Sequence, residues 1–148
     1  MTQLLLVEDD EDIRETFADV LRDHGYDVAE AQNGRVALTL LQGGLRPQLI
    51  LLDYAMPVMD GGEFRKCQLA DAALADLPVV LMTAATGVQA IAAALRPNHL
   101  LRKPFSLKEL FQTLNAALGH PEGAPTADPE KPEPPPASSG DVPKKGIP

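Results

Sequence analysis

The chain has no tryptophan, a single cysteine, and aromatic side chains at only 4% of its 148 positions. A lone Cys67 excludes an internal disulfide and fits a reducing compartment. Scarce aromatics mean that any core must be aliphatic. No apolar run is long enough to cross a bilayer. Met1-Thr2-Gln3 leads straight into an apolar stretch with no basic segment before it, so the expectation is a cytoplasmic protein with no membrane partner. Basic residues are also few. Lys and Arg number 13 against 21 Asp and Glu, a formal net charge of −8. That balance argues against a nucleic-acid partner, which needs clustered cations, and suits cationic or metal partners. No repeat of fixed period appears.

What is present divides at Gly119. Most of the 14 prolines lie beyond it, with almost no large apolar side chains. Residues 120–148 cannot offset their ordering entropy by burial, which predicts a disordered, proline-rich tail acting as a spacer. Residues 1–119 are expected to form one domain.

Within that domain strand and helix signals alternate. Leu4 to Val7, Leu49 to Leu52 and Val79 to Met82 are continuous apolar runs, as in strands buried on both faces. Tyr26 to Glu30 alternates apolar and polar residues and suits an edge strand, and His99 to Arg102 is a brief fifth strand. Ile13, Phe17, Val20 and Leu21 recur at helical spacing, with Gly25 to close that helix. Asn33-Gly34 opens a second helix, which Gly43-Gly44 stops. Asp60 with Glu63, Thr86 with Gln89, and Ser106 with Glu109 have the spacing of capping boxes for three more. Leu107, Leu110, Phe111, Leu114 and Leu118 form the stripe of the last. This alternation predicts a parallel sheet covered on both faces. Placing the half-polar strand at an edge gives the flavodoxin-like (βα)5 doubly wound order 2-1-3-4-5.

Ligands of open parallel sheets bind beyond the carboxyl ends of the strands. The first strand runs into Glu8-Asp9-Asp10, the third ends in Asp53-Tyr54-Ala55, the fourth in Thr83-Ala84 and the fifth in Lys103-Pro104. Taken singly these are ordinary residues. An acidic run favours a helix N-terminus, an Asp or a Pro a turn, and a lysine the surface. Their placement at the same end of consecutive strands is not ordinary, because accidents would scatter over both ends. Crowded carboxylates repel and raise a pKa unless a cation intervenes. Oxygen-only donors suit Mg²⁺. A carboxylate there is also a nucleophile toward phosphorus, in a reaction that asks mainly for positioning and charge neutralisation.

The stretches Leu5-Leu6-Val7-Glu8-Asp9-Asp10, Leu51-Leu52-Asp53 through Met56-Pro57-Val58-Met59-Asp60-Gly61, Met82-Thr83-Ala84 and Lys103-Pro104-Phe105-Ser106 resemble the response-regulator receiver family, over nearly everything up to Gly119. The resemblance implies phosphorylation of Asp53 by a histidine kinase or histidine phosphotransfer protein. It implies Mg²⁺ held by Asp9 directly, by Glu8 through water, by Asp53, and by the backbone carbonyl of Ala55. Thr83 and Lys103 would contact phosphoryl oxygens, and the peptide bond Lys103-Pro104 is often cis in the family. Two departures stand out. Leu100 occupies the position of the family's switch aromatic, and Arg96-Pro97-Asn98 stands where Gly-Ala-Asp is usual, in a segment shorter than the norm. Both fall on the fourth-helix and fifth-strand face that commonly signals to partners, which moves the expected contact with partners to the first helix and the loops around Asp53.

The expected function is therefore a phosphoryl-accepting receiver domain that acts by protein contact, without an output domain and without being a conventional enzyme. The alternative is an interaction module that keeps the fold and works without phosphorylation. An aspartate-nucleophile phosphatase would want a second acid where Ala55 stands, and a flavin protein of similar topology would want a Gly-rich phosphate loop after the first strand. His24 lies near a helix C-terminus, where a favourable dipole interaction rather than catalysis is expected, and His99 and His120 lack the companions of a metal site.

Overall fold

The chain alternates β1 (Gln3–Val7), α1 (Glu11–Asp23), β2 (Asp27–Ala31), α2 (Gly34–Gln42), β3 (Leu49–Asp53), α3 (Gly61–Ala70), β4 (Val79–Thr83), α4 (Val88–Leu95), β5 (His99–Arg102) and α5 (Leu107–Ala117). The computed structural model describes residues 2–84 and 88–119. The expected tail, His120 and Thr86 of the fourth helix's expected capping box lie outside the described residues.

The strands form one parallel sheet in the order β2-β1-β3-β4-β5. Alternation along each strand divides the core in two. Leu5, Val7, Ile50, Leu52 and Leu81 face Ala37, Leu41, Phe64 and Leu95 from α2, α3 and α4. Leu4, Leu6, Leu49, Leu51, Val80 and Met82 face Ala18, Leu21, Leu110 and Leu114 from α1 and α5. Full burial of such a side chain stabilises by about 1.5–3 kcal/mol, so two apolar layers, aliphatic but for Phe64 among their buried residues, hold the sheet while its carboxyl edge gathers charge.

Local signals set the element ends. Asp10, Asn33, Asp60 and Ser106 are N-caps whose side chains accept backbone N–H groups, and Asp60–Glu63 and Ser106–Glu109 close full capping boxes. After α1, Gly25 has φ +92. The N–H groups of Gly25 and Tyr26 donate to the carbonyls of Arg22 and Leu21, the Schellman arrangement that glycine permits. Gly61 is required for closeness rather than for φ. A Cβ there would lie 2.8 Å from the Asp53 carbonyl oxygen, so only glycine lets α3 begin against the end of β3.

Some apolar positions fall elsewhere than periodicity suggests. Ile13 and Leu107 are 40% and 50% exposed. Each lies in the first turn of its helix, where the end of the sheet leaves no core to enter. The edge strand begins at Asp27, one residue later than the alternation indicates. Conversely, Arg65 and Gln68 of α3 are buried. The Arg65 guanidinium donates to the carbonyls of Leu95 and Arg96 and to Gln68 Oε1. The Gln68 amide donates to the carbonyls of Leu74 and Leu77. At the end of α4, Arg96 takes φ +48. Asn98 then pairs with Val79 through both its backbone N–H and its side-chain oxygen, which sets β5 beside β4.

Candidate functional site

The strand ends deliver the expected residues to one place. Glu8 continues the β1–β2 pairing by donating its N–H to Ala31 (3.0 Å). The chain then turns so that Asp10 caps α1, accepting from the Ile13 N–H at 3.1 Å. The Asp10 N–H donates to Glu8 Oε2 (3.2 Å). This turn leaves Glu8 buried and Asp9 exposed at the mouth of the site. Asp53 closes β3, and Thr83 closes β4 beside it; they are 5% and 2% exposed. Lys103 follows β5, donates its backbone N–H to the Thr83 carbonyl, and precedes a cis bond to Pro104.

Lys103 reaches across the sheet edge. Its Nζ lies 3.0 Å from Asp53 Oδ1 and 3.3 Å from Glu8 Oε1. Carboxylate oxygens of Glu8, Asp9 and Asp53 all lie within 4.8 Å of one another. Glu8, Asp9, Asp53, Ala55, Thr83 and Lys103 line a common cleft of about 450 Å³, joined by Asp10 and Ala84. A mostly apolar hollow of about 590 Å³ adjoins it, formed by Ile13, Phe17, Pro104 and Phe105 beside Lys103. The hollow is larger, but the carboxylate cleft holds the groups capable of chemistry.

The electrostatics follow from burial. Desolvation pushes the Asp53 carboxyl above its ordinary value, and the Asp9 charge adds to this. The Lys103 ammonium opposes both without reversing them. Desolvation likewise raises Glu8, helped by the Asp53 charge and resisted by the Asp10 N–H and Lys103. For Lys103 itself burial acts downward, yet its bond to Asp53 and the charges of Asp53 and Glu8 outweigh that, and its pKa is raised. Two buried carboxyls sharing one ammonium titrate as a unit, and the cleft carries more negative charge than Lys103 neutralises. Oxygen donors without a thiol or imidazole fit a hard divalent cation such as Mg²⁺. Glu8, Asp9 and Asp53 could hold it, with Ala55 in the same lining.

A family model described as the response regulator receiver domain matches residues 4–115. The chain belongs to the response-regulator receiver family. Response regulator MprA of Mycolicibacterium vanbaalenii is 37% identical over 118 residues, which cover 78% of this chain and 50% of that protein. DNA-binding response regulator MtrA of Mycolicibacterium smegmatis is 34% identical over 83% of this chain and 53% of its own length. The receiver chain thus spans about half the length of the curated relatives it matches. The solved structure of the chemotaxis response regulator CheY4 of Vibrio cholerae superposes with a TM-score of 0.73 at 33% identity, covering 80% of this chain and 99% of that one. The response regulator TrrA of Thermotoga maritima, solved in complex with Mg²⁺-BeF, gives 0.71 at 27% identity, over 80% of this receiver and 100% of TrrA.

One contributor to this receiver's site, Arg14, was not singled out by sequence reasoning. Arg14 donates to the Glu8 carbonyl and to Glu30. One signal was available, since Arg14 is the only basic residue between Glu8 and Leu21. Leu100, at the family's aromatic position, is half-buried and packs against the α2–α4 core layer. His24 stacks on Phe111 with centroids 4.0 Å apart and lies within 3.1 Å of the Val20 carbonyl, which is a structural role. Among the described residues no helix is long and apolar enough to cross a membrane.

Proposed function

We propose that this receiver accepts a phosphoryl group on Asp53 from the phosphohistidine of a histidine kinase or histidine phosphotransfer protein. The observation that carries this reading is the buried Asp53 carboxylate, which shares Lys103 with Glu8 and lies beside Asp9 and Thr83 in one cleft. An Asp53 oxygen attacks phosphorus, the phosphorus–nitrogen bond to the donor imidazole breaks, and an acyl phosphate forms on Asp53. Mg²⁺, held by Glu8, Asp9, Asp53 and the Ala55 carbonyl, would supply neutralisation of the transferring group's charge. Lys103 is placed to neutralise a phosphoryl oxygen, and the Thr83 hydroxyl to donate to another. The Mg²⁺-BeF bound by TrrA supports the assignment of the cation.

Asp53 is consumed and must be regenerated by hydrolysis, so the domain is a phosphoryl acceptor rather than a conventional enzyme. With its negative charge, this segment would contact proteins rather than nucleic acid, in the cytoplasm, although a relative is named as DNA-binding. The apolar hollow beside α1 supports partner contact through the first helix and the loops around Asp53. A second reading, an interaction module independent of phosphorylation, is favoured by Leu100 alone.

Intact mass after incubation with Mg²⁺ and acetyl phosphate decides between them. One added phosphoryl group is expected in wild type and none in Asp53→Asn. Equal labelling of that variant would refute the assignment, and no labelling of wild type would favour the interaction module.

A further inference from the structure

We propose that Arg14 is a positioning residue for the cation site, an inference that rests on the phosphoacceptor reading above. Arg14 lies on α1, one turn beyond the Asp10 cap. Its Nη1 donates to the Glu8 carbonyl at 2.9 Å, and its Nε pairs with Glu30 Oε1 on β2 at 3.3 Å. The other Glu30 oxygen accepts from Arg22 at 3.0 Å. Glu30 is thereby fixed by two arginines of α1, and Arg14 passes that constraint on to Glu8.

The consequence is that every polar atom of Glu8 has a partner. The N–H is bound by Ala31, the carbonyl by Arg14, and the carboxylate oxygens by the Asp10 N–H and Lys103. The carbonyl matters most for its neighbour, Asp9. Its orientation sets the peptide plane between Glu8 and Asp9, and so the direction in which the Asp9 side chain leaves the backbone. Among the described residues no hydrogen bond holds the Asp9 carboxylate itself, so its place comes from the backbone that Arg14 holds. A fork of two donors in fixed geometry suits this task, and a lysine does not reproduce it.

Charge and geometry make opposite predictions here. A guanidinium close to a cation site repels the cation, so its loss by charge alone would tighten Mg²⁺ binding. Its loss as a brace loosens the carboxylates and weakens binding. Groups that orient metal ligands typically change metal affinity by about 10–100-fold when removed, and the geometric effect should win.

The test is a Mg²⁺ titration followed by amide NMR shifts in wild type, Arg14→Gln, Arg14→Lys and Glu30→Gln, with a thermal melt of each. Arg14→Gln is expected to bind Mg²⁺ about tenfold more weakly. Arg14→Lys keeps the charge but loses the fork, and should be weakened too. Glu30→Gln leaves Arg14 in place without its anchor and should show a smaller loss; it also reads the brace if Arg14→Gln fails to fold. Tighter binding by Arg14→Gln, wild-type affinity in Arg14→Lys, or an unchanged affinity in Glu30→Gln would each overturn the proposal. A wild-type protein with no Mg²⁺-dependent shifts near Glu8, Asp9 and Asp53 would instead remove the phosphoacceptor reading beneath it.

Discussion

The Arg65 guanidinium of α3 donates to the backbone carbonyl of Leu95 at 2.9 Å, at the last residue of α4. A second bond, to Arg96 at 2.7 Å, caps the next carbonyl. Among the described residues no carboxylate pairs with Arg65. Burial pulls its pKa below the ordinary value, and the Arg96 charge adds to the effect. The carbonyls of a helix C-terminus are a favourable place for such a cation, and they stand in for a counter-ion. Arg65→Met would leave two carbonyls and Gln68 Oε1 without their donors. Stranded buried acceptors cost about 1–3 kcal/mol, partly offset because a desolvated charge is also removed. A net loss of about 2 kcal/mol is expected by urea denaturation. Arg65→Met combined with Gln68→Leu should cost less than the sum of the two, because they share a bond. Full additivity would show that the two side chains act separately.

Val58 presents a different cost. It is 73% exposed with φ +70, and the Met59 N–H donates to the Pro57 carbonyl at 2.7 Å around it. This is a γ-turn with positive φ at its centre, a strained form, occupied by a β-branched residue poorly suited to it. Glycine accepts that conformation but loses more entropy on folding, and asparagine is the better compromise. Val58→Asn should stabilise the domain by about 1 kcal/mol in chemical denaturation. A destabilised variant would mean that the exposed valine is held by contacts stronger than its strain.

The raised carboxyls give a pH dependence of definite sign. Glu8 and Asp53 are raised chiefly by burial, so the folded state binds their protons more tightly than the unfolded chain does. The stability from this is fully present below the ordinary carboxylate range and is lost as pH rises through the raised values. Lys103 is also raised; its contribution persists through neutral pH and is lost only as pH rises through its own raised value. In metal-free buffer at neutral pH, Asp53→Asn should melt modestly higher than wild type. That advantage should shrink on acidification, where Asp53 is already protonated. Mg²⁺ should raise the melting temperature of wild type by mass action and much less that of Asp9→Ala. Thermal melts across the acidic-to-neutral range, with and without Mg²⁺, check all three statements. An equal Mg²⁺ response in Asp9→Ala would place the cation elsewhere.

Leu100 sets an expectation for output. It is half-buried on β5, paired with Leu81 of β4, and it has no hydroxyl to exchange between water and interior. A phosphoryl group on Asp53 would add about −1.5 to −2 charges next to Thr83. With a leucine in the switch position, and with the end of α4 bound by Arg65, the α4–β5 face should move little. Amide NMR with and without beryllofluoride is expected to show large shifts around Asp53 and Thr83 and small ones from Ala90 to Arg102. Shifts of equal size across both regions would show that Leu100 supports an ordinary switch.

Much of this was legible in the residues themselves. Continuous apolar runs mark β1, β3 and β4 because both of their faces are buried. Asp10, Asn33, Asp60 and Ser106 begin helices through bonds spanning three residues, which are local. The reactive edge was legible because parallel strands all end on the same side, so the residues just past each strand must meet. Ile13 and Leu107 misled, because helical spacing does not say where the core ends.

What the sequence alone determined is therefore the order of elements, the parallel sheet and which strand-end residues meet in one cleft. The tertiary structure decided how the site is held. Lys103 binds Asp53 and Glu8 together only because β5 lies two strands from β3 and three from β1 in a particular register. The roles of Arg14 and Arg65 escaped sequence reasoning for a common reason. On a helix an arginine is read as solvated surface, and only the packed neighbours show that these guanidinium groups donate to the backbone carbonyls of Glu8, Leu95 and Arg96. Such bonds join residues distant in the chain or on different elements. Their formation depends on side-chain direction and desolvation, which no local pattern of residue types encodes.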